Sequence, residues 1–187
     1  WTKLTDGRNG IPIDHPTRVV REDPSQEGLL YAGTEFGLFV SFDNGAHWQT
    51  FQLNLPNVPV TDIKVHRQDL VVSTQGRAFW ILDNLTVLHQ LTPAVTAAEV
   101  RLFKPRGGYR TRVAPAILGP NVEYFLPSVP AATVTLEILD EQGGAVNRYG
   151  SDAAPAGGER RGDPDAGSSR FRAAPPPRVG KAAGLNR

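Results

Sequence analysis

From Thr17 to Leu82 the chain alternates apolar and polar positions in short runs separated by Gly, Pro, Asn and Asp. Alternation with period two sends successive side chains to opposite faces of a strand, whereas a helix needs apolar positions three and four apart. The runs predict strands over Thr17–Glu22, Leu29–Thr34, the residues around Leu38, Val40 and Phe42, Trp48–Leu53, Val60–His66, Asp69–Thr74 and Ala78–Leu82. The alternation returns at Val122, Tyr124 and Leu126. Thr133–Asp140 and Ala145–Tyr149, joined by Glu141-Gln142-Gly143-Gly144, then predict a hairpin with one buried face. No run approaches the roughly 18 apolar residues a transmembrane helix needs, so no membrane span is expected.

The most specific local signal is Ser41-Phe42-Asp43-Asn44-Gly45-Ala46-His47-Trp48. Asp43 and Asn44 are expected to bond their own backbone two residues on, and Gly45 to take the positive φ of a tight hairpin. Trp48 opens the return strand, and its ring is expected to fold over the turn and pin the register. Asp43 is therefore read as a turn-capping residue. A calcium role would need more oxygen ligands than Asn44 and Ser41 supply.

The runs also repeat. Trp1-Thr2-Lys3-Leu4 resembles Trp48-Gln49-Thr50-Phe51, Thr17-Arg18-Val19 resembles Thr61-Asp62-Ile63, and the stretch from Thr34 to Asn44 matches that from Thr74 to Asn84. Spacings in the low forties with about four short strands per unit are the sequence mark of propeller blades. In the second unit Gly45 is replaced by Leu85 and no Trp follows, the decay expected of a terminal repeat. Its outermost strand comes either from Thr86–Leu91 or from a clasp strand supplied by earlier blades of the same chain, and the clasp is preferred.

After Leu91 the pattern weakens. Residues 92–120 read as a linker whose cations, from Arg101 to Arg112, could clamp a carboxylate or phosphate. The reading adopted is a partly extended segment docked on the propeller by Leu102, Phe103 and Tyr109. Residues 121–150 hold the first hairpin of a β-sandwich. Residues 151–187, rich in Ala, Pro, Gly, Ser and Arg, read as disordered or as a loop leading into a missing strand.

Composition narrows function mainly by exclusion. Cys is absent, which removes disulfides, thiolate metal sites and Cys nucleophiles. A net charge of +1 gives no general attraction for nucleic acid. Met is absent even at position 1, so the chain reads as a fragment of a longer protein. His15, His47, His66 and His89 stand alone, without a second ligand at metal-like spacing, and no cofactor is expected.

The S-x-D-x-G-x-x-W stretch from Ser41 through Asp43 and Gly45 to Trp48 resembles the Asp-box, or BNR repeat. Together with Leu70-Val71-Val72-Ser73-Thr74, Leu102-Phe103-Lys104-Pro105-Arg106 and the Val134–Val146 hairpin, the order resembles the C-terminal part of bacterial BNR-repeat propeller proteins. These are labelled glycosyl hydrolase, sortilin-like or sialidase-like, and carry appended FlgD-type, Ig-like domains. The resemblance implies an all-β fold, the last two blades of a propeller followed by an incomplete Ig-like sandwich, in an exported, extracytoplasmic protein. It also implies that the Asp-box is structural and lies away from the ligand face. The turns Glu35-Phe36-Gly37 and Gln75-Gly76-Arg77 and the loop Asn54–Pro59 then lie on the opposite face, so Glu35, Gln75 and Arg77 become the candidate ligand-binding residues. No residues here match the Tyr–Glu pair or arginine cluster of sialidases. The expected function is a non-catalytic or accessory module that binds protein or glycan. The alternatives are a sialidase-like glycoside hydrolase with its catalytic residues upstream, and a pure scaffold.

Overall fold

The computed structural model describes residues 3, 5–91, 100–108, 121–152 and 179–186. Two compact units divide the chain at Leu91 and Thr92. The described residues are all-β: several small antiparallel sheets, with one 3-10 turn and no α-helix.

The first unit holds two sheets. One is ordered β1 (Thr17–Glu22), β2 (Leu30–Thr34), β3 (Gly37–Ser41), β4 (Gln49–Thr50); the other is β5 (Val60–His66), β6 (Asp69–Thr74), β7 (Phe79–Leu82). Six of these seven strands begin and end within one residue of the alternating runs. The return strand is the exception. It pairs only at Gln49 and Thr50, with Phe51 N donating to Leu38 O, because Leu53 turns the chain with φ 46°.

The packing follows from the alternation. Leu29, Tyr31, Leu38 and Val40 face one way and, with Val19, Val60, Ile63, Leu70 and Val72, fill the core between the two sheets. Leu30, Ala32 and Phe39 face the other way onto Ile11 and Trp48. With both faces covered, β2 and β3 are buried at every position. Each of Leu30, Leu38, Phe39 and Val40 contributes about 1.5–3 kcal/mol relative to exposure. Gly33 lets β5 come close: a Cβ there would stand 2.4 Å from Val60 Cγ1 and 2.7 Å from Val19 Cγ1. The second sheet is covered on one face only, leaving Phe79 and Ile81 exposed while Trp80 and Leu82 pack on the core.

Equivalent bonds recur in the two sheets. Thr34 Oγ1 donates to Gly37 O at 3.1 Å, and Thr74 Oγ1 to Ala78 O at 2.8 Å. Glu35 N donates to Pro16 O and Gln75 N to Pro59 O. Asn44 and Asn84 both take positive φ, 57° and 72°. The sheets differ at the outer edge, where β7 pairs with β6 alone among the described residues. Thr86–Leu91, one of the two candidates for a fourth strand, is instead wound into a 3-10 turn at Leu88–Gln90. Burying Leu85 and Val87 there favours a tight turn over an extended strand.

In the second unit β8 (Arg101–Leu102), β9 (Tyr124–Leu126) and β12 (Gly184–Asn186) form a sheet ordered β12-β9-β8, and β10 (Thr135–Leu139) pairs with β11 (Ala145–Gly150). Two expectations are corrected. The 92–120 stretch is not linker throughout, since Arg101 pairs with Phe125 and Leu102 with Tyr124, and the tail contributes a strand of its own at Gly184–Asn186. Both strands are too short to show a period, and their partners lie 22 or more residues away in sequence. Within this unit the Leu102 side chain is 59% exposed, whereas Phe103 is buried. The hairpin's buried face is covered at one end only: Leu136 and Tyr149 pack with Tyr124, Leu126 and Val179, while Ile138, Leu139 and Val146 are exposed. Expectations for Trp1, Tyr109, Arg110, Arg112 and most of 151–180 fall outside the described residues.

Candidate functional site

The β2–β3 turn lifts Glu35 and Phe36 to one end of the first sheet, beside the Asp14-His15-Pro16 segment entering β1 and the Asn57–Pro59 loop entering β5. Between them lies an open depression of about 530 Å3 lined by Asp14, Pro16, Glu35, Phe36, Asn57 and Pro59. Glu35 is held by Arg18: its Oε1 accepts Nε at 2.7 Å and meets Nη2 at 2.5 Å. Phe36 is half exposed, and its ring lies on that of His15 with centroids 4.6 Å apart.

Of the three ligand-binding candidates, the structure brings one into this depression. Glu35 lines it. Gln75 adjoins it through the bond from its N–H to Pro59 O, with its side chain exposed. Arg77 does not line it; its carbonyl accepts Trp80 Nε1 at 2.9 Å, and its side chain is exposed. Sequence reasoning did not anticipate Asp14, Arg18 or the His15–Phe36 stack. The basic residue opposite a turn carboxylate in β1 was the available signal for Arg18, but pairing across a bulged register is not readable locally.

The Ser41–Trp48 stretch sits at the other end of β3. Its centre is Asn44 and Gly45, both at positive φ, closed by Ala46 N donating to Asp43 O at 3.2 Å. That is the primed geometry which suits strand twist. The capping differs from expectation. Asp43 does not bond two residues on; Oδ1 accepts Ser41 Oγ and His47 N, each at 2.8 Å, and Oδ2 lies 2.6 Å from His47 Nδ1. Burial raises the Asp43 pKa, but the backbone and ring bonds from His47, the Ser41 hydroxyl and the His47 charge together hold it below the ordinary range. Ser41, fully buried, also accepts Gly45 N at 2.9 Å, so its hydroxyl is spent on the turn. Trp48 is buried, and its ring belongs to the apolar cluster with Ile11, Leu30, Ala32 and Phe39.

A further polar cluster lies inside. Asp23, whose side chain is wholly buried, accepts Tyr31 Oη at 3.0 Å and Ser25 N at 2.8 Å, and its Oδ2 stands 2.9 Å from His89 Nε2. The Tyr31 phenol is pushed far above its usual range, first by burial and then by the charge of Asp23 and the bond to it. This network ties the loop after β1 to the 3-10 turn after β7. His89 is therefore not the isolated histidine that the sequence implied; the partner is 66 residues away. The contacts named here are all internal, so they hold the two segments together.

Among the described residues no three His, Asp or Glu side chains converge on a metal site. A small apolar recess of about 50 Å3 beside Leu38, Leu70, Val72 and Trp80 has room for little more than water. Compared with known proteins, the chain matches no family model, no curated protein and no solved structure.

Proposed function

We propose that this chain is a non-catalytic binding module: two adjacent blades of a β-propeller, followed by the start of an Ig-like sandwich of FlgD type, in an exported protein. The ligand, a protein or a glycan, sits at the turn face containing Glu35, Phe36 and Asn57. The repeat reading is supported by the recurring bonds at Thr34 and Thr74, at Glu35 and Gln75, and by the matched φ of Asn44 and Asn84. The Asp-box reading is supported by the Ser41–Asp43–His47 bonds, which spend those groups on folding at the opposite end of β3.

The observation that carries the function is the depression itself. It combines an exposed aromatic ring, carboxylates and an amide around an open floor, which is the mixture of apolar body and convergent polar groups that binding sites use. The test applies the labelled chain to glycan and peptide arrays beside a Phe36→Ser, Asn57→Ala variant. Specific binding that the variant loses is expected. Binding that the variant retains, or hydrolysis of a fluorogenic sialoside by the wild-type chain, would overturn the proposal.

A further inference from the structure

Resting on that reading, we infer that the depression accepts a guanidinium group, the side chain of an arginine on a protein partner. The two carboxylates lining it are incompletely paired. Both Arg18 nitrogens fall on Glu35 Oε1, leaving Oε2 without a protein partner. Asp14 is 79% exposed and stands 4.0 Å from His15 Nε2, beyond hydrogen-bond distance. The nearest fixed cation, Arg18, is thus already engaged, and an anionic ligand would meet two carboxylates instead.

The shape of the lining narrows the cation further. Phe36 rests one side on His15 and leaves 46% of its surface open. Pro16 and Pro59 offer no N–H, and their carbonyls are taken by Glu35 N and Gln75 N. What remains along the lining is the open Phe36 ring together with Glu35 Oε2, Asp14 and the Asn57 amide. A guanidinium is planar, stacks on aromatic faces and carries five N–H donors in its plane, so its chemistry matches both the ring and the acceptors. An ammonium has a point charge and no face to stack. A sugar ring would stack on Phe36 and donate hydroxyls to the carboxylates, but it brings no charge to Asp14, which no fixed cation approaches within hydrogen-bond distance.

The experiment is an NMR titration of the 187-residue chain with the capped peptide Gly-Arg-Gly and with its citrulline counterpart, the neutral isostere of arginine. The arginine peptide is expected to shift the amides of Glu35, Phe36 and Asn57, and to bind roughly tenfold more tightly than the citrulline peptide, consistent with one exposed charge-assisted contact plus one cation–π contact. Asp14→Asn, at an exposed position outside every strand, and Glu35→Gln are each expected to weaken it about threefold or more. Equal binding of the two peptides, or binding of neither, would overturn the inference. If glycans on the array bind this face while the arginine peptide does not, the inference fails and the binding-module reading survives; if nothing binds this face, both fail.

Discussion

Replacing Tyr31 by Phe removes one oxygen from the buried network and leaves the ring in place. Tyr31 is fully buried, and its hydroxyl donates at 3.0 Å to a carboxylate that is itself shielded from water. A hydrogen bond to a charged acceptor contributes about 1.5–3 kcal/mol, and no cavity or apolar loss adds to it, so Tyr31→Phe is expected to destabilise the first unit by about that amount. The substitution has a second signature at high pH. The folded pKa of Tyr31 is raised above the unfolded value of 10.0, so its contribution is full below pH 10 and is lost as pH rises, when the unfolded chain releases a proton that the folded chain keeps. Above pH 10 the wild-type chain should lose about 1.4 kcal/mol per pH unit from this residue, and the variant should lack that share of the slope. All three tryptophans lie within residues 1–91, so urea unfolding followed by tryptophan fluorescence at several pH values reports on this unit. A loss below about 0.5 kcal/mol at pH 7, with the alkaline slopes of the two chains superimposed, would refute the proposed bonding.

Trp48→Ala should cost about 3–5 kcal/mol, because a ring that is 4% exposed leaves a void against Ile11, Leu30 and Phe39; a fall of less than 1 kcal/mol by urea unfolding would contradict the packing. Gly33→Ala should cost about 1–3 kcal/mol by overpacking against Val60 and Val19, and an unchanged melting temperature would show that the sheets approach less closely than described. The lowered pKa of Asp43 contributes stability above pH 3.8 that is lost as pH falls further. Because this side chain is 43% exposed, solvent screening keeps the contribution of its pairing with His47 below about 1 kcal/mol. Asp43→Asn should therefore flatten the acid limb of a stability–pH curve slightly, and a steeper limb would reverse the assignment.

The strands of the first unit were legible because successive side chains face opposite ways between turn residues: Leu38 and Val40 enter one core, Phe39 another. The turn at Asn44-Gly45 was legible because both residues tolerate positive φ. Side-chain partners distant in sequence were not. Nothing local joins Asp23 to His89, or Arg101 to Phe125, since those pairings exist only once the sheets are assembled. Glu35 could be found from its place in the turn, but Asp14 and Pro16 come to it from a segment without a pattern, and Arg77 has the right repeat position while lying outside the depression. The outer edge of β7 shows the same limit, because Leu85 and Val87 suit a strand and a buried turn equally well by composition.

The account turns on which end of the first sheet meets the ligand. Hydrogen exchange of the chain, free and saturated with a probe that binds on the arrays, answers this residue by residue. Protection at Glu35, Phe36 and Asn57, with Asn44 to His47 unchanged, is the predicted result. Protection centred on Asn44 to His47, with the Glu35 turn unchanged, would contradict it.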